Sequence, residues 1–111
     1  MNDDTLVVSI GRNIGEDPMS TRTWEAFRGE VRSACETALN VPAVFDGMGI
    51  RMYEGRMEDS ATLIFNAEAP LDGGPLARRL AHLAWYYGQD SIAFTAGQTR
   101  FVGAERSGQH A

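Results

Sequence analysis

The sequence contains no lysine, and all ten of its basic residues are arginine. Both residue types supply the same positive charge to an ordinary solvated surface, so the absence indicates codon usage rather than a structural demand. Lysine codons are rich in A and T. We therefore expect a GC-rich source, such as an actinobacterium or one of its phages.

Residues that form disulfides or bind metals are also scarce. Cys35 is the single cysteine, which excludes an intrachain disulfide and a cysteine-rich metal site. His82 and His110 have neither a second histidine nor a carboxylate at metal-ligand spacing. We predict no metal and no cofactor, and we expect Cys35 to be a buried apolar residue of the first helix rather than a nucleophile.

Long hydrophobic runs are absent. The longest, Leu83 to Tyr87, has five residues, whereas a membrane-spanning helix needs about 18. The first residues, Met1 to Asp4, are acidic where a secretory signal would be basic. These features predict a cytoplasmic protein that does not bind membranes.

Positive charge is in the minority. Fifteen acidic residues outnumber the ten arginines, so the net charge is −5. The acids are spread along the chain and repel phosphate backbones, which disfavours nucleic acid as a partner. A length of 111 residues is typical of one domain, which we assign to residues 1–103, followed by a flexible polar tail at 104–111.

Strand and helix periodicities alternate along the chain. The first helix has a Ser20 or Thr21 cap and ends before Pro42, and the second starts at Pro75 and stops at Gly88. The predicted elements, in order, are a strand at 5–10, a helix from residue 20 or 21 to 40, strands at 43–53 and 57–67, a helix from 75 to 88 and a strand at 91–102.

Two of these strands contain glycines that favour an irregular backbone. Gly47 and Gly49 invite a bulge or a sharp twist in the second strand. In the last strand we expect either a bulge at Gly97 or a small hairpin over 96–99, which leaves open whether residues 96–102 form a separate strand.

The order of elements predicts an α+β protein of the ferredoxin-like βαββαβ type, with two helices on one face of a four-stranded sheet. The other face of the sheet is expected to stay open and mildly apolar. Its predicted residues are Val7, Ser9, Thr62, Ile64, Ala93 and Thr95. Such a face is commonly covered by another molecule, so we expect a homodimer.

Four short motifs resemble a small bacterial and phage family whose function is not established. They are Ile10-Gly11-Arg12, the segment from Ser20 to Phe27, Glu58-Asp59-Ser60, and the segment from Tyr86 to Ser91. Together they span most of the chain. The resemblance implies a small α+β fold and brings no catalytic residues with it.

Carboxylates of the predicted hairpin form one candidate site. Asp46, Glu58 and Asp59 lie on strands that we expect to pair, and converging acids can transfer protons if burial raises a pKa. The alternative is a solvated hairpin whose acids discourage edge pairing. For Glu58 itself we expect a structural ion pair, with Arg12 or Arg100 reaching it from a neighbouring strand.

The second predicted helix carries another candidate site. At about 100° per residue its apolar residues share one face, and Trp85 points away from them. The outward residues are Arg78, Arg79, His82, Trp85 and Tyr86. Arginine, tryptophan and tyrosine are enriched at binding hot spots, so this face predicts an acidic or amphipathic protein partner, unless a loop at 67–74 or the tail covers Trp85.

These features favour a non-enzymatic protein-interaction module, such as a phage-encoded modulator of a host protein. The alternative is a small-molecule-binding protein or small enzyme whose sheets pair into a dimeric α+β barrel. Its pocket would be lined by Trp24, Phe27, Met48 and Phe65, and a cavity there would favour this alternative.

Overall fold

The computed structural model describes residues 3–68, 73–100 and 102–104. These contain two helices, a four-stranded sheet and a two-stranded ribbon. The elements are β1 (Asp3–Gly11), β2 (Asn13–Ile14), β3 (Asp17–Pro18), α1 (Thr21–Leu39), β4 (Phe45–Tyr53), β5 (Arg56–Glu68), α2 (Gly74–Tyr86) and β6 (Ala93–Gln98). Of the predicted tail at 104–111, only Ala104 belongs to the described residues.

The four-stranded sheet has the order β4-β5-β1-β6, and every neighbouring pair is antiparallel. The first strand of the chain therefore lies in the interior, between β5 and the last strand. Both helices cover the same face of the sheet and share one core with it. The predicted ferredoxin-like α+β fold is confirmed.

β4 does not contain the bulge predicted at Gly47 and Gly49. It pairs with β5 along its whole length, from Phe45 to Tyr53, without a skipped residue. The ring of Phe45 folds over Gly47, where an added Cβ would collide with it. At this position glycine makes room for an aromatic ring rather than for an irregular backbone.

β6 is also regular. It pairs with β1 without a break from Ala93 to Gln98, so the bulge predicted at Gly97 is wrong. The strand ends at Gln98, and Thr99 and Arg100 have no strand conformation. In the described part of the chain, residues 96–102 therefore do not form a separate strand or hairpin; Phe101 lies outside that part.

α1 begins and ends where the sequence signals place it. The Oγ of Ser20 accepts the backbone N–H of Thr23 at 3.2 Å, which satisfies one of the open donors of the first turn. Asn40 ends the helix in the left-handed conformation, with φ of 56°. The residues that α1 buries in the core are Trp24, Phe27, Val31 and Cys35.

β4 and β5 form a long hairpin, with strands of nine and thirteen residues. Glu54 and Gly55 form its turn, with φ of 49° and 78°, as a two-residue type I′ turn requires. On the helix side of the sheet, the hairpin leaves four apolar side chains 64–66% exposed. We call these four the apolar arm: Met48, Ile50, Met52 and Met57.

The opposite, open face of the sheet carries the residues expected there. Val7 lies opposite Ile64 and Thr95, and Ser9 lies opposite Thr62 and Ala93. Val7 and Ile64 are half-buried rather than exposed. This face therefore exposes less apolar surface than the sequence predicted.

α2 packs Leu76, Leu80, Leu83 and Ala84 on the core. Trp85 is 74% exposed on its other side. The outward orientation predicted for this side chain is therefore found. Neither helix of the described chain has the length and apolarity needed to cross a membrane.

Candidate functional site

A polar pocket of about 230 Å³ lies at the end of the sheet, and Glu58 forms part of its lining. Four segments that are distant in the sequence surround it: β2 and the turn after it, the end of β4, the start of β5, and the connection from α2 to β6. We call it the Glu58 pocket. Its lining residues are Asn13, Gly15, Glu16, Arg51, Tyr53, Glu54, Arg56, Glu58, Gly88, Gln89, Asp90 and Ser91.

The Glu58 carboxylate is fixed by a contact to each of its oxygens. Arg51 lies directly opposite Glu58 in the β4-β5 register, and its Nε donates to Oε1 at 2.8 Å. The backbone N–H of Asn13 donates to Oε2 at 2.9 Å. The side chain of Glu58 is only 4% exposed. A carboxylate oxygen accepts more than one hydrogen bond, so both oxygens retain the capacity to accept from a ligand.

Gly11 is part of the same arrangement. An added Cβ at this position would collide with the Glu58 carboxylate and with the guanidinium of Arg51. The last residue of β1 must therefore be glycine for the ion pair to lie flat over the strand. The central glycine of the motif Ile10-Gly11-Arg12 is thus explained by the packing of this ion pair.

Arg51 has two further contacts that hold its guanidinium in place. Its Nη1 donates to the Oγ of Ser9 at 3.3 Å, and its Cζ lies 5.4 Å from the ring centroid of Tyr53. A cation over a tyrosine ring is attracted by the ring's negative face. Arg51 therefore bridges the open face of the sheet and the aromatic wall of the pocket.

The connection after α2 closes the opposite side of the pocket. The Nε2 of Gln89 donates to the carbonyl of Asn13 at 2.8 Å, and the backbone N–H of Gln89 donates to the carbonyl of Ala84. Gly88, with φ of 69°, lets the chain leave the helix and pass close to Ile14. These contacts join the end of α2 to the same Asn13 that holds Glu58.

The lining of the pocket is negatively charged. It contains two arginines and four carboxylates, a net charge of −2. Both arginines already face a carboxylate, since Arg51 pairs with Glu58 and Arg56 pairs with Glu16 at 2.5 Å. The pocket is therefore suited to a ligand that carries positive charge.

The three predicted carboxylates do not converge. Asp46 lies opposite Leu63, far along the hairpin from Glu58, and binds Arg32 at 2.6 Å and Arg28 at 3.7 Å. Asp59 points to the other face of β5 from Glu58, because neighbouring residues of a strand alternate in direction.

Glu58 forms the predicted structural ion pair, but with a different arginine from the two that were expected. Arg12 binds Asp59 at 3.1 Å, not Glu58. Arg51 takes that role because the strand register places it directly across from Glu58. No three or more His, Cys, Asp or Glu side chains among residues 3–68, 73–100 and 102–104 are grouped to hold a metal.

The pocket expected for a dimeric barrel is not formed in the chain. Phe27 and Phe65 are fully buried in the core, and Trp24 is 3% exposed. Met48 instead belongs to the exposed apolar arm. The four side chains therefore do not line one cavity.

Cys35 lies fully buried among apolar residues, as expected. Burial raises the pKa of its thiol to about 11, and the nearby Glu36 adds to the shift. The thiolate that a nucleophile needs is therefore disfavoured.

The five residues predicted on the outward face of α2 are all exposed there. His82 and Trp85 have ring centroids 5.8 Å apart, and Trp85 contributes to a shallow apolar groove between α2 and β6. The Glu58 pocket lies outside this face.

The sequence did not predict Asn13, Arg51 and Gln89 as site residues. They come from segments that are distant in the sequence, so no short motif or regular spacing connects them.

No family model and no curated protein matches the sequence, so the resemblance to a bacterial and phage family rests on its motifs. Solved structures do match. The chain is similar to a phage SAM lyase in complex with S-methyl-5′-thioadenosine, at 16% identity and TM-score 0.57, over 86% of this chain and 81% of that one. It is also similar to a phage SAM lyase in the apo state, at 14% identity and TM-score 0.58, over 87% and 81%. The likeness shows a shared fold.

Proposed function

We propose that the protein is a small phage enzyme that binds S-adenosylmethionine in the Glu58 pocket and releases S-methyl-5′-thioadenosine from it. The observation that carries the proposal is the buried Glu58 carboxylate, held by Arg51 and the Asn13 N–H in a negatively charged pocket. The shared fold of the phage SAM lyases supports the choice of ligand.

The charge of the ligand fits the charge of the pocket. S-adenosylmethionine carries a sulfonium, an ammonium and a carboxylate at neutral pH, so its net charge is positive. Glu58 is best suited to the ammonium, whose charge persists through the reaction. A carboxylate against the sulfonium would stabilise the ground state more than the transition state, because the sulfonium loses its charge as the bond breaks.

The reaction requires little acid–base catalysis by the protein. An oxygen of the substrate's own carboxylate forms a bond to the carbon attached to sulfur, while the bond from that carbon to sulfur breaks with its electron pair moving to sulfur. S-methyl-5′-thioadenosine leaves as a neutral thioether, and the aminobutyryl chain closes to homoserine lactone. A positively charged sulfur is already a good leaving group. The pocket then contributes mainly by holding the substrate in a reactive conformation, which can lower a barrier substantially.

The test is to incubate the purified protein with S-adenosylmethionine and to follow S-methyl-5′-thioadenosine by liquid chromatography and mass spectrometry. Glu58→Gln keeps the shape of the side chain and removes its charge. We expect this variant to lower kcat/KM at least about 100-fold, since hydrogen bonds to a buried charge contribute roughly 1.5–3 kcal/mol and the ligand's charge adds to this.

Asp59→Asn is the matched control. Asp59 is the next residue along β5, is paired with Arg12 and faces away from the Glu58 pocket. We expect its activity to stay within about twofold of the unchanged protein, because exposed ion pairs contribute little. A protein that releases no product, or a Glu58→Gln variant as active as the control, would contradict the proposal.

A second candidate function rests on the exposure of Trp85 and Tyr86, at 74% and 66%. Large exposed aromatic side chains beside Arg78 and Arg79 are typical of a protein-binding hot spot. On this hypothesis the chain is a non-enzymatic, phage-encoded modulator that binds an acidic or amphipathic host protein through α2. The Trp85 experiment in the Discussion tests it.

A further inference from the structure

The apolar arm is an exposed apolar surface that the Glu58 pocket does not use. Met48, Ile50 and Met52 follow one another at every second residue of β4, and Met57 lies opposite Met52 on β5. All four point to the helix side of the sheet and are 64–66% exposed. They lie next to the start of α1, where Met48 and Ile50 border a groove with Trp24.

β4 is also an edge strand, and it lacks the features that usually prevent an edge strand from pairing with another chain. Edge strands commonly carry proline, a bulge or unpaired charges that discourage another strand. β4 has nine residues, no proline and no bulge. Its two charged residues are neutralised within the chain, because Asp46 binds Arg28 and Arg32 and Arg51 binds Glu58.

We propose that a second copy of this chain docks on the apolar arm, with the two β4 strands pairing antiparallel about a two-fold axis at Gly49. Gly49 is the central residue of β4, which makes this the register that pairs the whole strand with itself. In it, Met48 lies opposite Ile50 of the second copy. Phe45 lies opposite Tyr53 of the second copy, an aromatic pair of the kind that stabilises neighbouring strands.

Charge and self-complementarity favour a second copy over a different occupant. The four side chains of the apolar arm expose roughly 500 Å², near the top of the range for the largest apolar patch of a monomer. No unpaired charge of β4 meets its equivalent, because each is already matched within its own copy. The contact is self-complementary, as a two-fold dimer requires.

The homodimer expected from the sequence is thereby assigned to a different surface. The open face was its expected location, but Val7 and Ile64 are half-buried there. The exposed apolar surface of β4 instead lies on the helix side and along the strand edge. The proposal does not depend on S-adenosylmethionine binding.

The test is sedimentation velocity over a micromolar concentration series, with Ile50→Lys as the variant. The unchanged protein is expected to approach twice 12.1 kDa. Ile50→Lys places a charge beside the two-fold axis on an exposed position, and we expect the dimer dissociation constant to rise at least about tenfold. Circular dichroism checks that the variant is folded.

Trp85→Lys is the matched control, because it makes the same kind of change at an exposed apolar residue of α2 instead of β4. It is expected to leave the dimer intact. The proposal is wrong if the unchanged protein stays monomeric at every concentration, or if Trp85→Lys dissociates the dimer while Ile50→Lys does not.

A cysteine at Gly49 tests the register. A Cβ at this position has only the Oγ of Ser60 near it, at 3.8 Å, so a side chain is tolerated. The native Cys35 is buried, and the introduced thiol is therefore the reactive one. With oxidised glutathione as oxidant, Gly49→Cys should give a disulfide-linked dimer, whereas Gly29→Cys on the exposed side of α1 should not. Equal cross-linking of both variants would contradict the two-fold axis at Gly49.

Discussion

At the scale of single residues, the site depends on one buried carboxylate whose two oxygens both accept hydrogen bonds. Glu58 is almost fully buried, and an unpaired carboxylate in that position would be strongly destabilising. Arg51 and the N–H of Asn13 supply the compensation. Gly11 makes the space in which the pair lies. Three residues from three different segments are thus needed to hold one carboxylate in place.

Cys35 gives a prediction about pH. Its pKa is raised from 9.0 to about 11 by burial, so the unfolded chain loses the thiol proton at a lower pH than the folded chain. The stability that this difference supplies is fully present below pH 9 and is lost as the pH rises toward 11. We expect the free energy of unfolding to fall by about 1.4 kcal/mol per pH unit in this window on account of Cys35.

The measurement is urea unfolding at a series of pH values, with Cys35→Ala as the comparison. The variant should lose this part of the slope and keep the part due to Tyr87, whose pKa burial and Glu30 raise to about 12. Identical slopes would contradict the assignment to Cys35. So would rapid labelling of the native thiol at neutral pH, because it would show that Cys35 is not buried.

Residue roles were only partly predictable from the sequence. The burial of Cys35 and the exposure of Trp85 follow from helical spacing, and both are found. The partner of Glu58 could not be deduced, because it depends on the strand register, and a slip of one residue turns Arg51 to the other face. The register is set by the turn at Glu54-Gly55 and by packing across the sheet, which spacing alone does not give.

At the scale of elements, the helices were predictable and the strand details were not. A capping serine, a repeating apolar face and a stop signal fixed α1 to within a residue. In β4, the glycines were read as signs of a bulge. They instead accommodate a ring at Gly47 and leave β4 a smooth, open edge at Gly49.

The outward face of α2 gives a prediction about an element. Trp85 is 74% exposed, so Trp85→Ala should change the melting temperature little. Trp24→Ala is the matched control: it removes the same side chain from the core, where Trp24 is 3% exposed, and should cost roughly 3–5 kcal/mol. Thermal unfolding of the two variants provides the comparison.

A pull-down from a host lysate then addresses binding. If α2 is a partner site, Trp85→Ala and the combined replacement of Arg78, His82 and Trp85 by alanine should lose the partner while remaining folded. Unchanged binding by both variants would exclude this face as the partner site. A large loss of stability for Trp85→Ala would instead show that another segment packs on the tryptophan.

At the scale of the whole molecule, the order of elements along the chain predicted the fold. The pocket forms only in the folded chain, and no short sequence motif predicts it. Asn13, Arg51, Glu58 and Gln89 are spread over most of the sequence and meet only because β5 lies beside β1 and α2 ends near β2. The fold class was accessible from periodicity. The site required the strand order and the register, which are long-range properties.

The central claim is that the Glu58 pocket is the ligand site. Titration of the isotope-labelled protein with S-adenosylhomocysteine, which keeps the ammonium of the substrate and lacks the reactive sulfonium, followed by amide chemical shifts in nuclear magnetic resonance spectra, tests it most directly. We predict saturable shifts at Asn13, Arg51, Glu58 and Gln89, which the Glu58→Gln variant should weaken and Asp59→Asn should not. Shifts confined to Arg78, His82 and Trp85 on α2, or no saturable shifts at all, would contradict the claim.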